Sequence, residues 1–161
     1  MTPLQEHARA IAGILTRDRQ TVAVAESSAG GLISAALLEV AGASAYFLGG
    51  AVAYTRQARE SLLQIPVSAL KGITPSTEAY ALLLARAARE RLGATWGLAE
   101  TGTAGPTGSR YGFNAGRCCV AIAGPMEKSL LLETGHGDRA ANMQAFAAAA
   151  LGLMAQSLAR R

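Results

Sequence analysis

The sequence is poor in cysteine, lysine and aromatic residues, and each shortage argues against a class of protein. Its two cysteines, Cys118 and Cys119, are too few for a disulfide framework, and as neighbours in a strand they would point to opposite faces. The basic residues behind the net charge of +4 are scattered, and aromatic residues make up only 5% of the chain. No basic stripe with interleaved aromatic side chains therefore predicts a nucleic-acid-binding surface.

Long apolar runs and metal-ligand spacings are also missing. No segment is apolar for long enough to span a bilayer, and the N-terminus lacks the basic stretch and apolar core of a signal peptide. The two histidines, His7 and His136, lie far apart in the sequence. We therefore expect one cytoplasmic domain, 1–161, that has no metal, cofactor, membrane or nucleic acid as a partner. Its modest excess of arginine suits small acidic ligands such as phosphate esters.

Hydrophobic periodicity predicts helices that alternate with strands and a late hairpin around Gly124-Pro125. This order predicts a three-layer α/β/α domain with a mixed, mostly parallel sheet of about five strands. A capping box of Thr2 and Gln5 opens the first helix. The predicted strands cover 21–25, 46–54, 95–100, 116–122 and 129–134, and later helices cover 32–40, 56–63, a segment ending at Leu92, and 139–158.

The turn after the first strand is the segment with the clearest chemical potential. Ser27 and Ser28 follow the apolar run 21–25, and the pair Gly30 and Gly31 precedes the next helix. Such a turn would present free backbone N–H groups and the positive end of the helix dipole to an anion, or to the oxyanion of an acyl transfer. Either serine could then be displayed as a nucleophile. The same turn is equally compatible with close packing of the helix on the sheet and no function.

Two more loops carry polar residues. The loop 101–109 is rich in Gly, Thr and Ser, so its N–H groups and hydroxyls can approach a ligand closely, although a flexible surface turn has the same composition. Asp138 can cap the last helix. His136 and Asp138 would suggest a Ser–His–Asp site with Ser27, but we expect His136 to face solvent. Loops after strands of an open α/β sheet meet at its carboxyl edge, where ligands bind.

Four segments, taken in order, resemble one known family. Residues 25–31 are similar to its A-E-S-C-T-G-G, and residues 42–54 to its G-S-S-x-x-F-x-G-G-x-V-x-Y. Residues 101–106 are similar to its [S/T]-G-I-A-G-P, and 137–139 to its G-D-R. The ordered set covers nearly the whole chain and resembles the CinA carboxy-terminal family, whose best-known members are nicotinamide mononucleotide amidases. The larger members carry an additional amino-terminal domain.

This resemblance implies the hydrolysis of nicotinamide mononucleotide to nicotinate mononucleotide and ammonia, by a homo-oligomer that needs no cofactor. By position it implies that Ser27 is the nucleophile and that Tyr54 belongs to the catalytic site. The residues that it implies for substrate binding are Glu26, Ser28, Gly30, Gly31, Thr101, Gly102, Thr103, Ala104, Gly105 and Arg139.

One departure from the family pattern concerns the catalytic base. Arg59 stands where the amidases carry a lysine thought to activate the serine, and an arginine stays protonated. Lys71 and Lys128 lie outside the matched motifs. Glu26 or Glu100 could serve as a base if desolvated, and Glu100 could equally form a buried ion pair with Arg59. Two hypotheses remain: a weak amidohydrolase, and a catalytically impaired homologue that keeps the nucleotide pocket as a binding or partner protein. The missing lysine favours the second.

Overall fold

All five predicted strands lie in one sheet of the computed structural model, which describes residues 1–161. The strands are β1 (Val22–Glu26), β2 (Phe47–Val52), β3 (Trp96–Thr103), β4 (Arg117–Ala123) and β5 (Lys128–Glu133). Their order is β2-β1-β3-β4-β5, with β1 parallel to β2 and β3, and β4 antiparallel to β3 and β5. Only β4 therefore runs against the other strands, and the predicted mixed sheet is confirmed.

Helices cover both faces of this sheet. They are α1 (Pro3–Asp18), α2 (Leu32–Leu38), α3 (Arg56–Leu63), α4 (Glu78–Leu92) and α5 (Arg139–Ala159). One core contains residues of α1, α2 and α5, and the other contains residues of α3 and α4, which confirms the three layers. The capping box of Thr2 and Gln5 is present at the start of α1. None of the helices combines the length and the hydropathy that crossing a bilayer requires.

The two faces of the sheet bury side chains of different size. Larger residues of the sheet, Trp96, Leu98, Val120 and Ile122 among them, pack in the core that α5 covers. The core under α4 is formed largely by alanines. Because small residues let α4 approach closely, a Cβ added at Gly97 would lie 1.9 Å from the carbonyl oxygen of Ala85. Close contact between α4 and β3 therefore depends on a glycine at position 97.

The two cysteines illustrate the alternation of side chains along a strand. Cys118 and Cys119 are buried and unpaired, and they belong to the cores on opposite faces of the sheet, as predicted. Burial raises the pKa of both thiols, that of Cys119 to about 11. Both cysteines are therefore protonated packing residues.

Two element boundaries differ from the prediction. Strand β3 continues to Thr103, so the first residues of the predicted loop 101–109 pair with β4. Helix α2 ends at Leu38, two residues before the predicted end at Val40, and Gly42, with a φ of 84°, precedes a short 3-10 turn. The composition of 101–103 suggests a loop, but pairing with β4 decides the length of β3. Local composition does not reveal a partner strand that comes later in the chain.

Candidate functional site

A cleft of about 840 Å³ opens where β1, β2 and β3 end. The turn after β1, the start of α3, the segment before α4 and the end of β3 all contribute to its walls. The predicted site residues that line it are Ser27, Ser28, Tyr54, Arg59, Thr101, Gly102, Thr103, Ala104, Gly105 and Arg139. Glu26, Gly30 and Gly31 do not line it. The fold thus brings together most of the predicted site residues from distant parts of the chain.

The charged residues of this cleft are all cationic. Its lining includes Arg56, Arg59, Lys71, Arg110 and Arg139, and it includes no aspartate or glutamate. Cations without interspersed carboxylates produce a positive potential that attracts anions. Arginine in particular suits phosphate and carboxylate groups, because its planar donors match their oxygens. The cleft is therefore suited to an anionic small molecule.

Ser27 is the serine of the turn that is available to a ligand. It is half-buried, it lines the cleft, and its hydroxyl makes no hydrogen bond within the protein. The neighbouring Ser28 is buried, and its hydroxyl donates to the carboxylate of Glu100. Ser28 is thus occupied by a structural contact. Of the two candidates that the sequence left open, only Ser27 has the free hydroxyl of a nucleophile.

Glu100 of β3 anchors the turn that carries Ser27. Its carboxylate is fully buried and accepts hydrogen bonds from the backbone N–H groups of Ser27 and Ala29, both at 2.9 Å, and from the Ser28 hydroxyl. Burial raises the pKa of Glu100, although these three hydrogen bonds oppose the shift. Glu100 therefore positions the turn, and it does not form the predicted ion pair with Arg59.

Glu26 holds the other side of the same turn. Its carboxylate accepts from the backbone N–H groups of Gly31 and Ile33 at 3.0 Å and of Ser34 at 2.9 Å. Because Gly31 is the N-cap of α2 and has no side chain to cap it, Glu26 supplies the missing acceptor from the end of β1. Its negative charge also opposes the positive end of the helix dipole.

These two carboxylates correct the expectation that the turn offers free N–H groups to an anion. Glu26 and Glu100 together accept hydrogen bonds from five backbone N–H groups around the turn. The N–H of Gly30 donates to the carbonyl of Ser27. The pair Gly30 and Gly31 is therefore engaged within the protein and lies outside the cleft lining. The sequence shows that acidic residues are present but not that they fold back onto the helix.

Arg59 of α3 is a buried cation without an acidic partner. It is only 7% exposed, and its Nη1 donates to the Tyr80 hydroxyl at 3.0 Å. The centre of the guanidinium lies 5.8 Å from the centre of the Tyr80 ring. Its Nε has no hydrogen-bond partner, and no salt bridge includes it. Because the charge is permanent, Arg59 cannot take a proton from Ser27.

Arg139 links three parts of the site. It is the first residue of α5, and its Nη2 donates to the Tyr54 hydroxyl at 3.1 Å. Its Nη1 donates to the carbonyl oxygen of Gly105. These contacts connect the start of α5 with the segment after β2 and the loop after β3. Both Tyr54 and Arg139 line the cleft, and the catalytic and binding roles implied for them stay predictions.

Sequence reasoning missed the segment before α4, which forms a further wall of the cleft. Ser76 in this segment is buried with a φ of 62°, a left-handed conformation that is uncommon for serine. Its N–H donates to the Thr101 hydroxyl at 3.0 Å, and its own hydroxyl lies 3.1 Å from that of Thr103. Lys71 of this segment and Tyr80 of the following helix α4 also line the cleft. Only the unusual Lys71, one of two lysines in the chain, could have drawn attention to it.

His136 and Asp138 lie outside the cleft lining. Nδ1 of His136 accepts from the Asp138 N–H at 3.3 Å, and the Asp138 carboxylate caps α5 by accepting from Ala141 N–H at 3.1 Å. The alternative Ser–His–Asp arrangement with Ser27 is therefore not formed. No group of three or more His, Cys, Asp or Glu residues is arranged to hold a metal ion.

Comparisons with known proteins agree on one family. The family model for the CinA C-terminal domain matches residues 4–158. A CinA-like protein of Synechococcus sp. is 42% identical over 120 residues, which cover 74% of this chain and 28% of that protein. A CinA-like protein of Salinibacter ruber is 38% identical over 143 residues, covering 88% of this chain and 35% of that protein. The chain thus spans only about a third or less of the length of these two relatives.

Solved structures resemble this fold along almost its whole length. The competence/damage inducible protein CihA from Agrobacterium tumefaciens has a TM-score of 0.87 and 30% identity, covering 98% of this chain and 96% of that one. A CinA superfamily protein from Escherichia coli also has a TM-score of 0.87, with 25% identity and coverage of 95% and 90%. These structures share the α/β fold described above.

Proposed function

The chain belongs to the CinA C-terminal domain family, and we propose that it binds a phosphorylated pyridine nucleotide such as nicotinamide mononucleotide and slowly hydrolyses its carboxamide through Ser27. The observation that carries this proposal is the free hydroxyl of Ser27 in a cleft whose charged residues are all cationic. Such a cleft favours the phosphate of a nucleotide. The products would be nicotinate mononucleotide and ammonia.

In the proposed reaction, the oxygen of Ser27 attacks the carboxamide carbon and the C–N bond breaks. The serine proton passes to the nitrogen, which leaves as ammonia, and water then cleaves the resulting ester and restores Ser27. The expected rate is low because none of the three residues considered at the base position, Glu26, Glu100 and Arg59, is free to take the serine proton. Glu26 and Glu100 are held by the turn, and Arg59 stays charged. A positioned base usually contributes about 10² to 10⁴-fold in rate.

A second candidate function is nucleotide binding without hydrolysis. The specific observation in its favour is the arginine at position 59, since the amidases that the chain resembles carry a lysine there. A buried lysine can lose its proton, whereas an arginine cannot. In this case the same cleft would serve a binding or partner protein, and Ser27 would only contact the ligand.

Ammonia release from nicotinamide mononucleotide distinguishes the two candidates. We expect slow release by the parent, background release by Ser27→Ala, and a rate raised by about 10²-fold in Arg59→Lys, because a neutral lysine can accept the serine proton. The matched control is Ser68→Ala, which changes an exposed serine outside the cleft lining and should keep the parent rate.

Two results would contradict the hydrolase proposal. If the parent binds the nucleotide but releases no more ammonia than Ser27→Ala, the binding function replaces it. If titration calorimetry detects no binding of nicotinamide or nicotinate mononucleotide, both candidate functions are wrong for this cleft.

A further inference from the structure

Arg59 holds a charge that the protein itself does not balance. Its side chain is more than nine-tenths buried, and its only hydrogen bond is to the neutral hydroxyl of Tyr80. Burying a charged group without a partner costs several kcal/mol in general. Glu26 and Glu100, the acidic residues beside Ser27 in the fold, are committed to the turn after β1, and no salt bridge includes Arg59. No carboxylate of the protein pairs with Arg59, so an anion bound in the cleft would supply the missing counter-charge.

We propose that the Arg59 guanidinium and the Tyr80 hydroxyl form a subsite that binds an oxyanion of the ligand, either a phosphate or a carboxylate. The inference rests on the proposed function in that it uses the same cleft, but it does not depend on hydrolysis. It assigns Arg59 a binding role in place of the proton-transfer role implied for a lysine at this position.

The unused donors of Arg59 have the geometry that an oxyanion needs. The bond to Tyr80 uses Nη1, while Nε has no partner and Nη2 makes no hydrogen bond. Nε and Nη2 form one edge of the planar guanidinium, which can donate two parallel hydrogen bonds to two oxygens of a carboxylate or phosphate. The Tyr80 oxygen accepts from Arg59, so its own O–H remains available to donate to the same anion.

A neutral carboxamide would satisfy this edge poorly. It offers one acceptor oxygen and an NH₂ group that carries donors only, so it would leave the Arg59 charge unbalanced. An acid in its place offers two oxygens and the opposite charge. If the pyridine end of the ligand contacts Arg59, the cleft therefore selects nicotinate mononucleotide over nicotinamide mononucleotide. If the phosphate end contacts Arg59, both nucleotides gain equally.

Titration calorimetry with nicotinate mononucleotide, nicotinamide mononucleotide and inorganic phosphate tests the subsite. We expect Arg59→Met to weaken the binding of at least one of these probes by about thirtyfold, since removing one partner of a buried charge pair has an effect of this size. The matched control is Arg91→Met, which changes an exposed arginine outside the cleft lining. This variant should bind every probe as tightly as the parent does. If Arg59→Met weakens the binding of nicotinate mononucleotide alone, the subsite binds the carboxylate. If it weakens the binding of both nucleotides equally, the subsite binds the phosphate.

Stability separates a binding role from a structural one. Because Arg59→Met removes an unbalanced buried charge, we expect the Tm of the ligand-free variant to equal or exceed that of the parent. If the variant does not fold, Tyr80→Phe provides the second test, with weaker binding of the same probe expected. The subsite is overturned if these variants bind all three probes as tightly as the parent, or if none of the probes binds the parent.

The subsite and the proposed hydrolysis can fail separately. Binding that depends on Arg59, without release of ammonia by the parent, would leave the subsite in place and remove the hydrolase proposal. Release of ammonia through Ser27, with binding unaffected by Arg59→Met, would remove the subsite and leave the hydrolase proposal.

Discussion

Replacing Glu100 by alanine is expected to lower the free energy of unfolding by about 3 to 5 kcal/mol. The substitution leaves the N–H groups of Ser27 and Ala29 and the hydroxyl of Ser28 without their acceptor, and it leaves a cavity at a fully buried position. Each unsatisfied buried donor alone costs about 1 to 3 kcal/mol. Urea denaturation followed by circular dichroism measures the change.

Glutamine at position 100 is the control that separates hydrogen bonding from charge. Its Oε1 can accept from the two N–H groups, and its Nε2 can donate to the Ser28 oxygen, so Glu100→Gln should keep most of the stability. A loss as large as that in Glu100→Ala would contradict the assignment of Glu100 as the acceptor that holds the turn. If Glu100→Ala stops ammonia release from nicotinamide mononucleotide and Glu100→Gln does not, the turn positions Ser27 as the nucleophile.

The same pair of proteins should differ in pH dependence. Burial raises the pKa of Glu100 in the folded state above its value in the unfolded state. The stability of the parent relative to Glu100→Gln is therefore greatest below the unfolded pKa, and it decreases as the pH rises through the raised folded pKa. Denaturation of both proteins between about pH 4 and pH 9 measures the difference. A parent that gains stability over Glu100→Gln with rising pH would contradict this direction.

Gly97→Ala is expected to be the most damaging conservative change in the sheet, with a loss of about 3 kcal/mol or more in the free energy of unfolding. The new Cβ would lie 1.9 Å from the backbone oxygen of Ala85 and 3.1 Å from the Cβ of Arg89. A helix backbone cannot rotate away as a side chain can, so α4 would have to move off the sheet. Thermal and urea denaturation both measure this cost.

Gly13→Ala in α1 is the matched control for this substitution. Gly13 is exposed in a helix, and a Cβ there would meet no atom within 4 Å. Alanine at this position should raise stability by about 0.5 to 1 kcal/mol, because it restricts the unfolded chain and favours the helix. Equal effects of the two substitutions would contradict the close packing of α4 on β3. Since α4 also carries Tyr80, Gly97→Ala should in addition weaken anion binding at Arg59.

Local signals in the sequence were sufficient for the order and type of the elements. The caps provided by Thr2 and Asp138 act over three residues, and the opposite orientation of Cys118 and Cys119 follows from the pleat of a strand. The motif resemblance likewise gave the family and ten of the 25 residues that line the cleft. These features need only neighbours in the chain or a pattern of residue types.

The roles of the charged residues in the site were decided by tertiary packing. Glu100 accepts from Ser27, which lies 73 positions earlier, and Arg59 bonds to Tyr80, which lies 21 positions later. No local pattern distinguishes a carboxylate that folds onto a turn from one that faces a ligand, or a paired arginine from an unpaired one. The sequence by itself therefore determined the family, the fold and the candidate nucleophile. Only the packed structure decided which charges are balanced within the protein, because the partners meet only when the strands and helices pack.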